Sequence, residues 1–391
     1  MSEIVRPLPG ADAYAPEIAV EVRDRSLSPQ VLRDIIEARV TLQEDEPAGF
    51  SLVLANSDPG RRGLSRSEQI TPFKYTDLDL LDVKTPVVIQ MGYAGRLRRM
   101  VVGEVVTFSP TFPQSGLSTL AITGNDFFQR LRNAKPGSDQ DRAFHQKNDG
   151  QIAEAIARRH QLDPGDIDTK GPAHGIVNQK PEEDDLKFLL RRAQYGGYVT
   201  FITLDDASGR PKLHFNRPVD LRDDRDTDVF EYRWGESLLS FTPKISTVAL
   251  VVKVTVRAWN PRKKKTIQYT AELKDLPRAS GNGRAGAEVL TDDDFTKEER
   301  IVTRAVQSDE EAKRLAIRIL EENAQEFITG NGEVMGDPDL RPGVVLRLAG
   351  LGRRFSGDYR LVKTEHVFSA SGYVTSFEVK RVREQERPTA S

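Results

Sequence analysis

The 391-residue sequence predicts a mainly β protein carrying an α+β insertion. Three observations lead there. Short segments in which apolar and polar residues alternate fill both ends of the chain, as strands with one buried face require. Between residues 125 and 228 the spacing turns helical and carries capping residues. One further amphipathic helix lies embedded in the second β-rich region.

Taken in order, residues 1–17 hold three prolines and read as an extended N-terminal arm. Residues 18–124 form the first β-rich domain. "IAVEV" (Ile18 to Val22), "IEARVTLQ" (Ile36 to Gln43) and "FSLVLAN" (Phe50 to Asn56) alternate, and a polar, turn-rich loop follows. "TPVVIQMGY", "RRMVVGEVVTFSPTF" and "STLAITGND" add three strands, a number that fits a sandwich or small barrel.

Residues 125–228 form a small α/β module. "NDGQIAEAIARRHQL" starts a helix with Asn148 as N-cap and Gln151 as its capping-box partner. In "PEEDDLKFLLRRAQYGG", Pro181 can open a helix whose acidic first turn suits the helix dipole. Its buried stripe is Leu186, Leu189, Leu190 and Ala193, and Gly196 or Gly197 stops it.

Residues 229–385 form a second β-rich domain. "VALVVKVTVRAW" and "TIQYTAEL" read as a hairpin, followed by an inserted loop and helix over 276–324. In that helix Ser308 and Glu311 can form a capping box. Four strands close the domain, and residues 386–391 read as a disordered tail.

Bulk properties narrow the function. Net charge is −2, from 57 basic and 59 acidic residues, so neither stable nucleic-acid binding nor membrane binding is expected. The absence of cysteine excludes disulfides and thiolate-ligated metals. The N-terminus lacks a secretory signal pattern, and no apolar run reaches the length of a membrane span.

Candidate chemical motifs are weak in context. Gly281, Gly283 and Gly286 spell G-x-G-x-x-G, but no apolar strand leads in, so a loop is expected. Arg262 to Lys265 form a basic run at a hairpin turn without interleaved aromatics. Neither Asp292–Asp294 nor Asp77, Asp79 and Asp82 has calcium-loop spacing. The five histidines show no metal-ligand spacing, and no nucleophile elbow is present. No catalytic residue, cofactor or metal is therefore assigned. Glu365 and His366 are adjacent, but neighbours on a strand point to opposite faces and cannot orient one another. His366 is expected to be a polar rung of a hairpin near a barrel edge. Strict alternation would put Tyr359, Leu361, Lys363, Glu365 and Val367 on one face, with His366 and Phe368 on the other.

Several stretches together resemble the late control protein D family of phages, the baseplate hubs of contractile tails and related injection systems. They are "FFQRLRN", "EDDLKFLLRRAQYGGY", "SDEEAKRLAIRIL" and the segment from "GNGEVMGDPDLRPG" to "SFEVKR". Within the last, the most specific marks are G-x-P-x-L-x-P-G (Gly336, Pro338, Leu340, Pro342, Gly343) and F-x-G-x-Y (Phe355, Gly357, Tyr359). H-x-F…G-Y-x-T-x-F, from His366 to Phe377, is the third. The hub part of valine-glycine-repeat spike proteins is similar.

The resemblance implies two tube-like β-barrels per subunit, a homotrimer, and a pseudo-sixfold ring. That ring would join a hexameric inner tube protein above to a separate trimeric spike protein below, among other baseplate proteins. It implies a structural protein rather than an enzyme, synthesised and assembled in a bacterial cytoplasm. Residues expected to define the fold or interfaces are Trp259, Gly343, Gly357, Tyr359, His366, Phe368, Gly372, Tyr373 and Phe377. The alternatives are a tail-associated cell-wall hydrolase, or a hub that also binds effector cargo.

Overall fold

The computed structural model describes residues 4–5, 15–57, 73–76, 80–93, 95–133, 135–205, 208–218, 228–246, 253–260, 264–272, 275, 299–303, 309–325 and 328–381. The G-x-G-x-x-G glycines, Asp77, Asp79, Asp292–Asp294, Arg262, Lys263, Ser308 and the tail fall outside them.

The first region comprises β1 (Ile4–Val5), β2 (Pro16–Val22), β3 (Arg25–Ser26), α1 (Pro29–Arg33), β4 (Ile35–Gln43), β5 (Gly49–Ala55), β6 (Pro86–Tyr93), β7 (Arg96–Thr111) and β8 (Thr119–Asp126). A 3-10 turn (Phe127–Gln129) leads into α2 (Arg130–Asn133), α3 (Asp139–Arg142), β9 (Ala143–Lys147), α4 (Asp149–Arg159), β10 (Asp163–Ile167), β11 (His174–Asn178), α5 (Asp185–Gly196), β12 (Val199–Leu204) and β13 (Pro211–Asn216). The rest is β14 (Val229–Arg233), β15 (Leu238–Ile245), β16 (Lys253–Asn260), β17 (Lys265–Glu272), β18 (Glu299–Thr303), α6 (Asp309–Gln325), β19 (Ile328–Met335), β20 (Val345–Ala349), α7 (Gly352–Phe355), β21 (Gly357–Ser369) and β22 (Gly372–Arg381).

Most strands belong to one 14-stranded sheet. Its first half runs β4-β5-β8-β7-β6-β2 and its second half β14-β20-β21-β22-β19-β15. Alternation decides what each half buries. In β4, Ala38, Val40 and Leu42 point inward while Arg39 and Thr41 point outward. The first core gathers Val40, Leu52, Ile89 and Ile122, all fully buried. A separate second core gathers Tyr232, Leu346, Tyr359 and Phe377. The fold is thus mainly β, as the sequence predicts, and the large sheet carries two separate apolar centres.

The central module has its own core, including Ile152, Ile156, Leu186, Phe188 and Phe215. The Asn148–Gln151 capping box forms in both directions, at 2.8 and 3.1 Å. α5 starts later than Pro181, because the Asp184 side chain caps the Lys187 N–H at 2.8 Å. Gly197 ends it in the left-handed conformation, φ 83°. Leu190 is only partly buried, whereas Phe188 is fully buried. Strands β9, β10 and β11, which the sequence pattern did not single out, build two small sheets around these helices. The module docks on the first half where the Thr200 N–H donates to Asp45 at 2.9 Å and the Asp45 N–H returns to Thr200 O at 2.7 Å.

β16, β17 and β18 form a separate three-stranded sheet and do not pair with the large one. The hairpin expected within the second β-rich domain therefore stands apart from the large sheet that the rest of that domain joins. Val254, Val256, Ala258, Ile267 and Ala271 pack against Ala312, Leu315 and Ala316 of α6, which gives this unit a core of its own. Among the described residues, no helix is long and apolar enough to cross a membrane.

Candidate functional site: the shared hairpin

β21 and β22 join the two halves. The N-terminal part of β21 pairs with β20 in the second half, and its C-terminal part pairs with β4 in the first. β22 runs alongside throughout, from Tyr359↔Arg381 to Ser369↔Gly372.

A register shift between Leu361 and Lys363 changes which residues share a face. Leu361 lies opposite Val379, Thr364 opposite Phe377, His366 opposite Thr375, and Phe368 opposite Tyr373. Directly opposed residues share a face. Tyr359 and Leu361 therefore lie with Thr364, His366 and Phe368, and strict alternation fails at this point. The bulge returns the chain to the inward phase as it leaves one core and enters the other. Tyr359, Leu361, Phe377 and Val379 fill the second core, while Tyr373 enters the first and Phe368 packs against it.

His366 is fully buried between β4 and β22, not at an edge. Its Nε2–H donates to the Leu340 carbonyl at 3.1 Å. Nδ1 is therefore the acceptor and faces the hydroxyls of Tyr373 at 2.9 Å and Thr375 at 3.0 Å. Thr375 in turn accepts the Asp337 N–H at 3.0 Å, and the Tyr232 hydroxyl donates to Asp337 Oδ2 at 2.7 Å. Burial, helped by the Arg341 charge, holds the His366 pKa down to about 3, so the ring is neutral. Burial also raises Asp337, against the Tyr232 hydrogen bond. Such a network fixes one alignment of the elements that meet in it.

Glu365 is on the opposite, outer face and pairs with Arg39. It does not meet the His366 ring, so the neighbours form no acid–base pair.

The other predicted residues spread along the chain. Tyr359 donates to the Phe355 carbonyl at 2.7 Å, which links the aromatic ends of F-x-G-x-Y. Gly372, φ 120°, turns the hairpin. Gly357, φ 145°, opens β21 opposite Leu348. Gly343, φ 94°, lets the loop pass Phe201 of the central module, where an added Cβ would sit 3.1 Å from the ring. Trp259 is not part of this site. It lies on β16 in the separate sheet and is 61 % exposed.

Residues that sequence reasoning missed complete the junction. Tyr232 and Asp337 were not singled out, although Asp337 occupies a variable position of G-x-P-x-L-x-P-G; Thr375 is the threonine of G-Y-x-T-x-F, with no role read for it. Arg360 and Glu44 form a buried ion pair across the halves, 3.0 Å apart. Asp126, buried, caps the 3-10 turn through the Phe128 N–H at 3.1 Å, and burial pushes its pKa up to about 7. Among the described residues, no group of three or more His, Asp or Glu is arranged to hold a metal.

Comparison with solved structures agrees with this architecture. A family model described as the Alg8 N-terminal domain matches residues 70–369. No curated protein matches the chain. The 43 kDa tail protein of prophage MuSo2 from Shewanella oneidensis has a similar structure, with TM-score 0.67 at 13% identity, covering 94% of this chain and 98% of that one. A tail protein from Neisseria meningitidis MC58 gives TM-score 0.64 at 12% identity over 94% and 97%. The Escherichia coli c3393 protein is described as a type VI secretion system component similar to T4 tail proteins gp27 and gp5. It gives TM-score 0.55 at 14% identity over 95% and 79%. The fold is the one these tail and secretion-system proteins share, in line with the hub resemblance read from the sequence motifs.

Proposed function

The chain belongs to the Alg8 N-terminal domain family; from its tail-protein fold, and not from that family, we propose that it is the structural baseplate hub of a contractile phage tail or tail-like injection particle. Three copies would form a pseudo-sixfold ring between a hexameric inner tube and a separate trimeric spike, with other baseplate proteins around it. The observation that carries this reading is the continuous sheet through β4 and β21. It joins two six-stranded halves with separate cores through one hydrogen-bonded sheet. Three such chains offer six barrel-like units to a sixfold partner while keeping threefold symmetry for a spike.

The domain division 18–124, 125–228 and 229–385 belongs to the same reading, with the first and last as barrels. The chain acts without turnover: it aligns symmetries and transmits force. It would be made and assembled in a bacterial cytoplasm before serving in a tail or injection particle.

Native mass spectrometry of the protein purified with its spike partner tests this. Three hub chains per complex are expected, and any other stoichiometry overturns the ring. Cleared peptidoglycan in zymography would favour the hydrolase reading instead.

A further inference from the structure

A second cleft, lined by none of the hairpin residues, opens between the central module and α6, with a volume of about 250 Å³. Its floor is Arg192, 6 % exposed. Nε and Nη2 of Arg192 donate to Asp149 Oδ1 at 2.6 and 2.5 Å, and Nη2 also reaches Nε2 of His174 at 3.0 Å. Burial pushes the Asp149 carboxyl up, but His174 and Arg192 together outweigh it and hold the group below its ordinary range. The floor is thus a fixed, ionised pair.

The rim adds three more cations from three separate segments: Lys170 before β11, Arg217 after β13, and Arg314 on α6. One further carboxylate, Asp168, accepts the Lys170 backbone N–H at 2.9 Å. Among the described residues, four cations therefore line the cleft together with two carboxylates, in a chain whose overall charge is −2. The N-terminus of the 11-residue helix α4 opens on the same space through Asn148 and Asp149, adding its positive dipole end. Gathering like charges around an open cleft costs free energy that an anion offsets. The volume admits a carboxylate or phosphate group together with water.

We propose that this cleft binds an oxyanion, which clamps α6 to the central module through Arg314. An acidic segment of a partner protein and a small free anion would present the same chemistry, and two probes separate them. This site does not depend on the ring, so a failed stoichiometry test leaves it standing.

Isothermal titration of the full chain with inorganic phosphate, and with a peptide rich in Asp and Glu, is the test. Binding is expected with at least one probe, weakening as salt rises. The Lys170→Glu/Arg314→Glu variant should lose at least tenfold in affinity. The Arg353→Glu/Arg354→Glu variant, with the same charge change on exposed α7, should bind as the native chain does. Circular dichroism of both variants establishes that they fold. Peptide binding that phosphate does not match assigns the cleft to a partner's acidic segment; phosphate binding alone assigns it to a free anion. Failure of both probes, or unchanged binding in the Lys170→Glu/Arg314→Glu variant, overturns the proposal.

Discussion

Arg360 of β21 donates to Glu44, just beyond β4, at 3.0 Å, and both side chains are buried. One ion pair therefore ties residues more than three hundred positions apart, at the place where the two halves of the sheet meet. Removing one partner leaves a buried charge. Arg360→Met alone should cost about 3–5 kcal/mol, while adding Glu44→Leu should recover much of that loss. A double-mutant cycle by urea unfolding measures it; simple additivity of the two changes would refute the coupling.

Gly336 is a packing requirement. A Cβ there would lie 2.1 Å from Cγ of Tyr373. The ring has little freedom to retreat, because its hydroxyl faces His366 and its plane packs near Tyr93, 5.9 Å between centroids. Gly336→Ala should destabilise by about 1–3 kcal/mol. Tyr373→Phe keeps the ring but removes a hydroxyl from a buried acceptor, for about 1–3 kcal/mol. Thermal unfolding at fixed pH compares the two.

The pH dependence of stability should show two opposed slopes. His366 has a folded pKa of about 3, below the unfolded value near 6.5. The unfolded chain binds more protons between these values, so this group's contribution is lost as pH falls from 6.5 toward 3. Asp126 has a folded pKa of about 7, above the unfolded value near 3.9. The folded chain binds more protons there, so its contribution is lost as pH rises from 3.9 to 7. Each slope approaches about 1.4 kcal/mol per pH unit, and across the overlap they oppose one another. Unfolding free energies at half-unit steps from pH 4 to 6.5 should vary less in the native chain than in a variant lacking either group. Asp126→Asn should make stability rise with pH, and His366→Asn should make it fall; identical profiles in both variants would disprove the assignment.

Trp259 and Trp234 are each 61 % exposed. Trp259 was singled out in the sequence as an interface residue, and its place outside the large sheet leaves it free to serve there. Trp259→Ser should change unfolding free energy by less than about 0.5 kcal/mol. It should lower association in sedimentation velocity if the residue sits between subunits. Unchanged association would remove Trp259 from the interface.

The strands were legible where one face is buried, because period-2 alternation reports that directly, as in Ala38, Val40 and Leu42. The α4 cap was legible because it is local. The hairpin was legible as two strands, but its faces were not: the bulge between Leu361 and Lys363 leaves no mark in the pattern. Its consequence was a misplaced His366, whose partners Leu340, Tyr373 and Thr375 include one from outside the hairpin. Glu44 and Arg360 were invisible for a simpler reason. Nothing local distinguishes a buried charged pair from the many solvated ones in a chain that is 30% charged.

The hairpin also sets a timetable for synthesis. The first half's strands through β8 leave the ribosome more than two hundred residues before β21 and β22. At bacterial elongation rates of roughly 5–20 residues per second, that delay is on the order of ten to fifty seconds. During it, the β4 edge lacks the strand that will cover it, and the first core lacks Tyr373. An uncovered edge of that kind is a site for pairing between nascent chains. The β4 edge therefore stays uncovered, and the first core incomplete, until β21 and β22 have been made.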